Sequence, residues 1–120
     1  MEFYVKQLMK PYILIIDDDA DECRLLSDYL KRKHFQVDIA YSIDEGIDIM
    51  RQSLPDHLLL DNHLAEGPGW KYAGLIKGLF PQLKLTLISG DDTENRDARD
   101  SFRRLYKPLD MGELEVLLTN

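Results

Sequence analysis

The sequence predicts an α/β fold, one parallel sheet with helices on both faces. Three observations predict it: short apolar runs recur at regular intervals, stretches of helical spacing separate them, and capping residues and prolines mark the joins.

The first run is YILII (12–16), short and continuous enough for a strand buried on both faces. Leu25, Leu26, Tyr29 and Leu30 then make a helical stripe, followed by the second strand run, QVDIAY (36–41). Ser42, three residues before Glu45, caps the next helix, whose stripe is Ile43, Gly46, Ile47 and Met50. Pro55 stops that helix before HLLLD (57–61), and Pro81 stops a third, striped by Ala73, Ile76, Leu79 and Phe80, before KLTLIS (84–89). Within TENRDARDSF (93–102) only Ala98 and Phe102 give an apolar stripe, so the fourth helix is expected to be short. A brief fifth strand, RLY (104–106), precedes a last helix over 110–119, opened by Asp110 with Glu113 three residues on. The expectation is five strands and five helices in one domain over residues 11–120, with residues 1–10 as an N-terminal extension.

Composition removes several functions. A formal net charge of -7 in 120 residues leaves no broad basic face for nucleic acid or an anionic membrane. The single cysteine, Cys23, cannot form an intrachain disulfide, the start MEFYVKQLMK has no signal-peptide core, and no apolar run spans a bilayer. These features predict a cytoplasmic protein. His34 and His57 read as surface or strand-start residues without a zinc site, Cys23 and Trp70 as packing residues, and Arg103 with Arg104 as too few for a nucleic-acid patch.

Asp17, Asp18 and Asp19 follow the first apolar run with no basic residue between them. Like charges so close repel unless a cation sits among them. Asp19 and Asp21 suit a helix cap and first turn, but Asp17 and Asp18 end a strand. In an open parallel sheet the carboxyl ends of the strands form the ligand edge, so Asp17, Asp18, Asp61, Ser89 and Lys107 converge there. Carboxylates with one hydroxyl suit a hard, partly hydrated ion such as Mg²⁺, and Lys107, whose backbone is fixed by Pro108, adds a second positive charge. Together the two cations would neutralise a phosphoryl group.

Four pieces in order, ILIIDDD, PDHLLLDNHL with the later Gly69, LTLIS and YKPL, make the chain from Tyr12 to Thr119 resemble the receiver domain of two-component response regulators, the chemotaxis-Y-like superfamily. The resemblance implies a flavodoxin-like (βα)5 fold with strand order 2-1-3-4-5. It implies Asp61 as phosphoacceptor, Asp18 as a direct Mg²⁺ ligand, Asp17 as a ligand through water, and the backbone carbonyl of His63 as a further ligand. Ser89, Lys107 and the Gly90 N–H would contact the phosphoryl oxygens. The implied donor is a phosphohistidine on a histidine kinase or phosphotransfer protein, and the implied output is a downstream protein partner or an output domain outside these residues. Such a protein is not an enzyme on a separate substrate; it assists its own phosphorylation and dephosphorylation.

Some positions depart from the pattern. Ser89 and Lys107 stand 18 positions apart (107 minus 89), about one helical turn less than is usual. Three residues before the lysine, where the family often carries an aromatic switch residue, stands Arg104, with Tyr106 expected on the same strand face. His63 and Asp91, each two residues past a cleft residue, are expected to pair over the site and slow hydrolysis. Two rivals follow: a pseudo-receiver that binds partners without phosphate, and a haloacid dehalogenase-like phosphatase, which Asp17, Asp19 and Gly90 to Asp92 resemble but the position of Lys107 does not.

Overall fold

The computed structural model describes residues 10–90 and 102–119. The strands are β1 (Tyr12–Ile16), β2 (Gln36–Ala40), β3 (His57–Asp61), the short β4 (His63–Leu64) and β5 (Gly67–Pro68), β6 (Lys84–Ser89) and β7 (Arg103–Tyr106). The helices are α1 (Ala20–Arg32), α2 (Ile43–Gln52), α3 (Trp70–Leu79) and α4 (Met111–Thr119). Five strands form one parallel sheet in the order β2-β1-β3-β6-β7, the expected order once the small antiparallel β4–β5 hairpin is set aside. The short helix expected over 93–102, and Asp91, lie outside the described residues.

The continuous apolar runs are strands because both faces of the sheet are covered. Leu14, Ile16, Leu58, Leu60, Leu85 and Leu87 pack under α2 and α3, while Ile13, Ile15, Leu59, Ile88 and Leu105 pack under α1 and α4. Every residue of β1 and β3 is buried. Each such Leu or Ile contributes on the order of 1.5–3 kcal/mol when taken from water, so the middle of the sheet is the rigid platform.

The caps hold as local chemistry dictates. Asp19 Oδ1 accepts the N–H groups of Asp21 and Glu22 at the start of α1, Ser42 Oγ accepts that of Glu45, and Asp110 Oδ1 that of Glu113. Glu45 reaches back to the N–H of Tyr41, one residue before the cap. Two stripes need correction. Leu25 is 66% exposed and Leu79 44%; Cys23 takes the buried place on α1, because the sheet meets a narrower face of each helix than the apolar residues span. No described helix is long and apolar enough to cross a membrane.

His57 does start a strand, but it is 2% exposed and its Nδ1 has no hydrogen-bond partner. Burial, reinforced by the charges of Lys84 and Arg103, lowers its pKa, and Asp56 and the Leu118 backbone only partly offset this. The folded state therefore resists a proton that the unfolded chain accepts below about pH 6.5. Stability from this residue is complete above that pH and is lost as pH falls. His57→Leu should accordingly gain on the wild type in urea midpoint at pH 5.5 relative to pH 7.5; an unchanged gap would contradict the burial argument.

Gly69 fixes the turn after β3. A Cβ there would run into the backbone carbonyl oxygen of Asp61 and press on Asn62 Cα at 3.2 Å. Backbone cannot step aside as a flexible side chain does, so Gly69→Ala should cost about 1–3 kcal/mol. Urea denaturation measures it, with Gly78→Ala, where a Cβ meets nothing within 4 Å, as the tolerated control.

Candidate functional site

β1, β3 and β6 end at the same edge, and β7 leads into Lys107 beside them. Asp17 follows β1, with its N–H on the Ala40 carbonyl at 3.1 Å. Its carboxylate is buried, and Oδ1 accepts the Asp19 N–H at 3.0 Å. Asp61 closes β3, 4% exposed, and its Oδ2 accepts the His63 N–H at 2.9 Å. Lys107 follows β7 across a cis peptide bond to Pro108, and its N–H donates to the Ser89 carbonyl at 2.8 Å. Ser89 is fully buried at the end of β6, and Gly90 beyond it is exposed.

The ammonium of Lys107 lies 3.0 Å from Asp61 Oδ1 and 2.9 Å from Glu22 Oε2. Asp17, Glu22 and Asp61 each offer a carboxylate oxygen, all within 4.8 Å of one another. Glu22, in the first turn of α1, was not singled out from the sequence. Its partner is 85 positions away, and only the strand-end geometry brings them together. Asp18 is not among these three: its Oδ2 accepts the Ala65 N–H at 2.8 Å, tying the loop between β4 and β5 to the end of β1.

Asn62, not singled out from the sequence, fastens the turn after Asp61. Only 2% exposed, it donates its N–H to the Ile88 carbonyl at 2.9 Å and accepts the Gly69 N–H at 3.0 Å on its own carbonyl. Its Oδ1 accepts the N–H of Trp70, capping α3, which Gly69 has no side chain to cap. The available signal was an Asx residue immediately after the strand-end aspartate. His63 is exposed and pairs with Pro68 in the small hairpin. Arg104 on β7 lies opposite Leu87 on β6, and its two buried terminal guanidinium nitrogens have no hydrogen-bond partner among the described residues, whereas Tyr106 is 44% exposed.

Burial governs the charges here. It pushes Asp17 up to about 7, helped by the nearby Asp61 charge and opposed by the Asp19 amide. It also raises Asp61, against the pull of Lys107. Burial alone would lower Lys107, but its bonds to Glu22 and Asp61 outweigh that and hold it above the usual ammonium range. Three carboxylates thus share one ammonium, a donor set of hard oxygens that fits a divalent cation such as Mg²⁺. Cys23, buried beneath with its thiol on the Asp17 carbonyl at 3.2 Å, is pushed up to about 12 by burial and the neighbouring acids, which makes it inert.

An aspartate raised in this way holds a proton between about pH 4 and 7 that the unfolded chain has released, so its contribution to stability is lost as pH rises through 7. In metal-free buffer with chelator, Asp17→Asn should stabilise the protein at pH 8 by about 1–2 kcal/mol, with a distinctly smaller gain at pH 5. Thermal melts at the two pH values decide this; a mutant less stable at pH 8 would contradict it.

Comparison with known proteins agrees with this geometry. Residues 13–118 match the response regulator receiver domain family. The acid tolerance regulatory protein ActR of Rhizobium meliloti is 31% identical over 78 residues, covering 65% of this chain and 40% of that protein. The transcriptional regulatory protein ZraR of Salmonella typhimurium is 31% identical over 110 residues, covering 88% of this chain but 25% of that protein. The chain thus spans less than half the length of these relatives. A two-component response regulator from Clostridium difficile superposes with a TM-score of 0.79 at 25% identity, covering 88% of this chain and 90% of that one. TrrA of Thermotoga maritima gives 0.74 at 23% identity, covering 91% and 97%. The phosphatase resemblance does not survive, since Asp19 is spent on the α1 cap and the sheet is a receiver's. The strand-end acids, the lysine beyond the last strand and the matched 13–118 span lead to one conclusion: the chain belongs to the response regulator receiver domain family.

Proposed function

We propose that this receiver accepts a phosphoryl group on Asp61 from a phosphohistidine of a histidine kinase or phosphotransfer protein, and acts as a phosphorylation-dependent signalling switch in the cytoplasm. The observation that carries this reading is the buried Asp61 carboxylate with Lys107 Nζ at 3.0 Å and Asp17 alongside, at the open carboxyl edge of the sheet. Asp17, Asp18, Asp61 and the His63 carbonyl would hold Mg²⁺, with Glu22 close by. When bound, the ion supplies positive charge for the oxygens of the transferring group. TrrA, the relative from Thermotoga maritima, is known in complex with Mg²⁺-BeF, in keeping with this chemistry.

The chain's own residues do the remaining work. An Asp61 oxygen attacks phosphorus in line as the P–N bond of the donor breaks, and the departing imidazole keeps the bonding pair and takes up a proton. Lys107 turns its ammonium from Asp61 to the phosphoryl oxygens, with the Ser89 hydroxyl and the Gly90 N–H as further donors. The aspartyl phosphate that forms is an acyl phosphate, which water hydrolyses; His63 and Asp91 would set how fast. The protein is therefore a phosphoacceptor that assists its own chemistry.

The partner reading has support in shape. A cleft of about 470 Å³ opens between α1 and the turn leading to α4, lined by Leu25, Leu26, Pro108, Leu109 and Met111 with the acidic cluster at its edge. The 66% exposed Leu25 gives a donor protein an apolar grip beside Asp61. A pseudo-receiver is the second reading, favoured by Arg104 at the switch position: a guanidinium whose buried terminal nitrogens have no partner among the described residues is poorly suited to the inward swing of an aromatic ring.

Intact mass after incubation with acetyl phosphate tests the proposal. The wild type should gain one phosphoryl group only when Mg²⁺ is present, Asp61→Asn none, and Lys107→Ala at a rate about 10²-fold lower. A folded, Mg²⁺-binding wild type that gains nothing from either acetyl phosphate or a phosphorylated kinase would leave the pseudo-receiver standing.

A further inference from the structure

Glu22 stands in the first turn of α1, where an acid complements the helix dipole and is ordinarily left to solvent. Its backbone fits that role, since its N–H is held by Asp19 Oδ1 at 3.1 Å. Its side chain does something else. Oε2 crosses the cleft to Lys107 Nζ at 2.9 Å, the same nitrogen that lies 3.0 Å from Asp61 Oδ1, and its carboxylate completes the cluster with Asp17 and Asp61. Asp21, one residue earlier, makes only an outward contact with Arg24 at 3.7 Å on the same helix. Two acids in one helical turn therefore have different work.

We infer that Glu22 is a positioning residue that holds Lys107 away from an incoming phosphoryl group while adding a third carboxylate to the cation cluster. This rests on the phosphoryl-accepting reading above. The two effects have opposite signs. A carboxylate near the cluster attracts a divalent cation and repels an anionic phosphoryl donor, and the ammonium it holds must be withdrawn before it can meet the phosphoryl oxygens. Glu22 thus favours the metal-loaded, unphosphorylated protein and restrains its phosphorylation. As the carboxylate is about half exposed, the effect is screened and should weaken at high salt.

The test compares the wild type with Glu22→Gln, Glu22→Asp and Asp21→Asn in two measurements: calorimetric titration with MgCl₂ alone, and the rate of phosphoryl uptake from acetyl phosphate at saturating Mg²⁺. Glu22→Gln, nearly isosteric, should bind Mg²⁺ about three- to tenfold more weakly yet take up phosphate about three- to tenfold faster, both differences shrinking in 0.5 M salt. Glu22→Asp should fall between it and the wild type. Asp21→Asn, which removes the same charge from the same turn without touching Lys107, should change neither measurement. Equal behaviour of Glu22→Gln and Asp21→Asn, or a Glu22→Gln variant that moves both quantities in the same direction or neither, would overturn the inference. Should the wild type take up no phosphoryl group at all, the phosphoryl-accepting reading fails, and the MgCl₂ titration alone still decides whether Glu22 belongs to the cation cluster: unchanged affinity in Glu22→Gln removes it.

Discussion

The site depends on one arrangement, a single ammonium shared among carboxylates that the sheet has buried. Lys107 lies within 3.0 Å of both Asp61 and Glu22, and Asp17 is close enough to feel the charge of Asp61. A compact domain rarely buries ionised acids unless they are paired or neutralised. Here the sum does not balance: one positive charge serves three negative ones, and burial, with a smaller push from neighbouring carboxylates, raises the proton affinity of Asp17 and Asp61. The metal-free protein holds an unmet demand for positive charge, and that demand is what gives the edge a chemistry.

Such a cluster survives only because the surroundings are stiff. β1 and β3 are buried along their whole length, and the carboxylates sit at their ends as rigid extensions. Asn62 fastens the turn beyond Asp61 to β6 and to the start of α3, and Gly69 lets that turn come within contact of the Asp61 backbone. Stability held in the apolar layers offsets the electrostatic cost at the edge, the usual relation between a core and a strained site.

What the sequence made legible follows from the range of each interaction. Strands and caps are written in neighbouring residues, so the runs at 12–16, 57–61 and 84–89 became strands with those bounds, and Ser42 and Asp110 became caps. The strand-end rule then brought Asp17, Asp61, Ser89 and Lys107 to one edge without coordinates. It failed for Glu22, since a first-turn acid has an adequate local explanation and the sequence does not show a lysine 85 positions on turning toward it. His57 starts a strand as its sequence reading allows, but its burial was not legible: a strand-start position faces water or not according to where distant segments pack. Asp18 shows the remaining limit, because alternation puts it at the edge but its rotamer follows a backbone N–H at Ala65.

The hydrogen bonds at the edge also connect it across the sheet. The Asn62 N–H joins the end of β3 to the Ile88 carbonyl, and the Lys107 N–H joins the end of β7 to the Ser89 carbonyl next along β6. Asp61, Ser89 and Lys107 therefore stand at the ends of three consecutive strands that are stitched together there. On the proposed reading, drawing Lys107 and Ser89 toward a phosphoryl group on Asp61 pulls on the last residues of β6 and β7 through bonds already formed. β7 is one of the sheet's two outer strands, paired on one side only, and it carries Arg104, whose buried terminal nitrogens have no hydrogen-bond partner among the described residues. An edge strand with an unsatisfied buried charge has less holding it in place than any strand further in, so a small displacement at Lys107 is relieved there and not in the core.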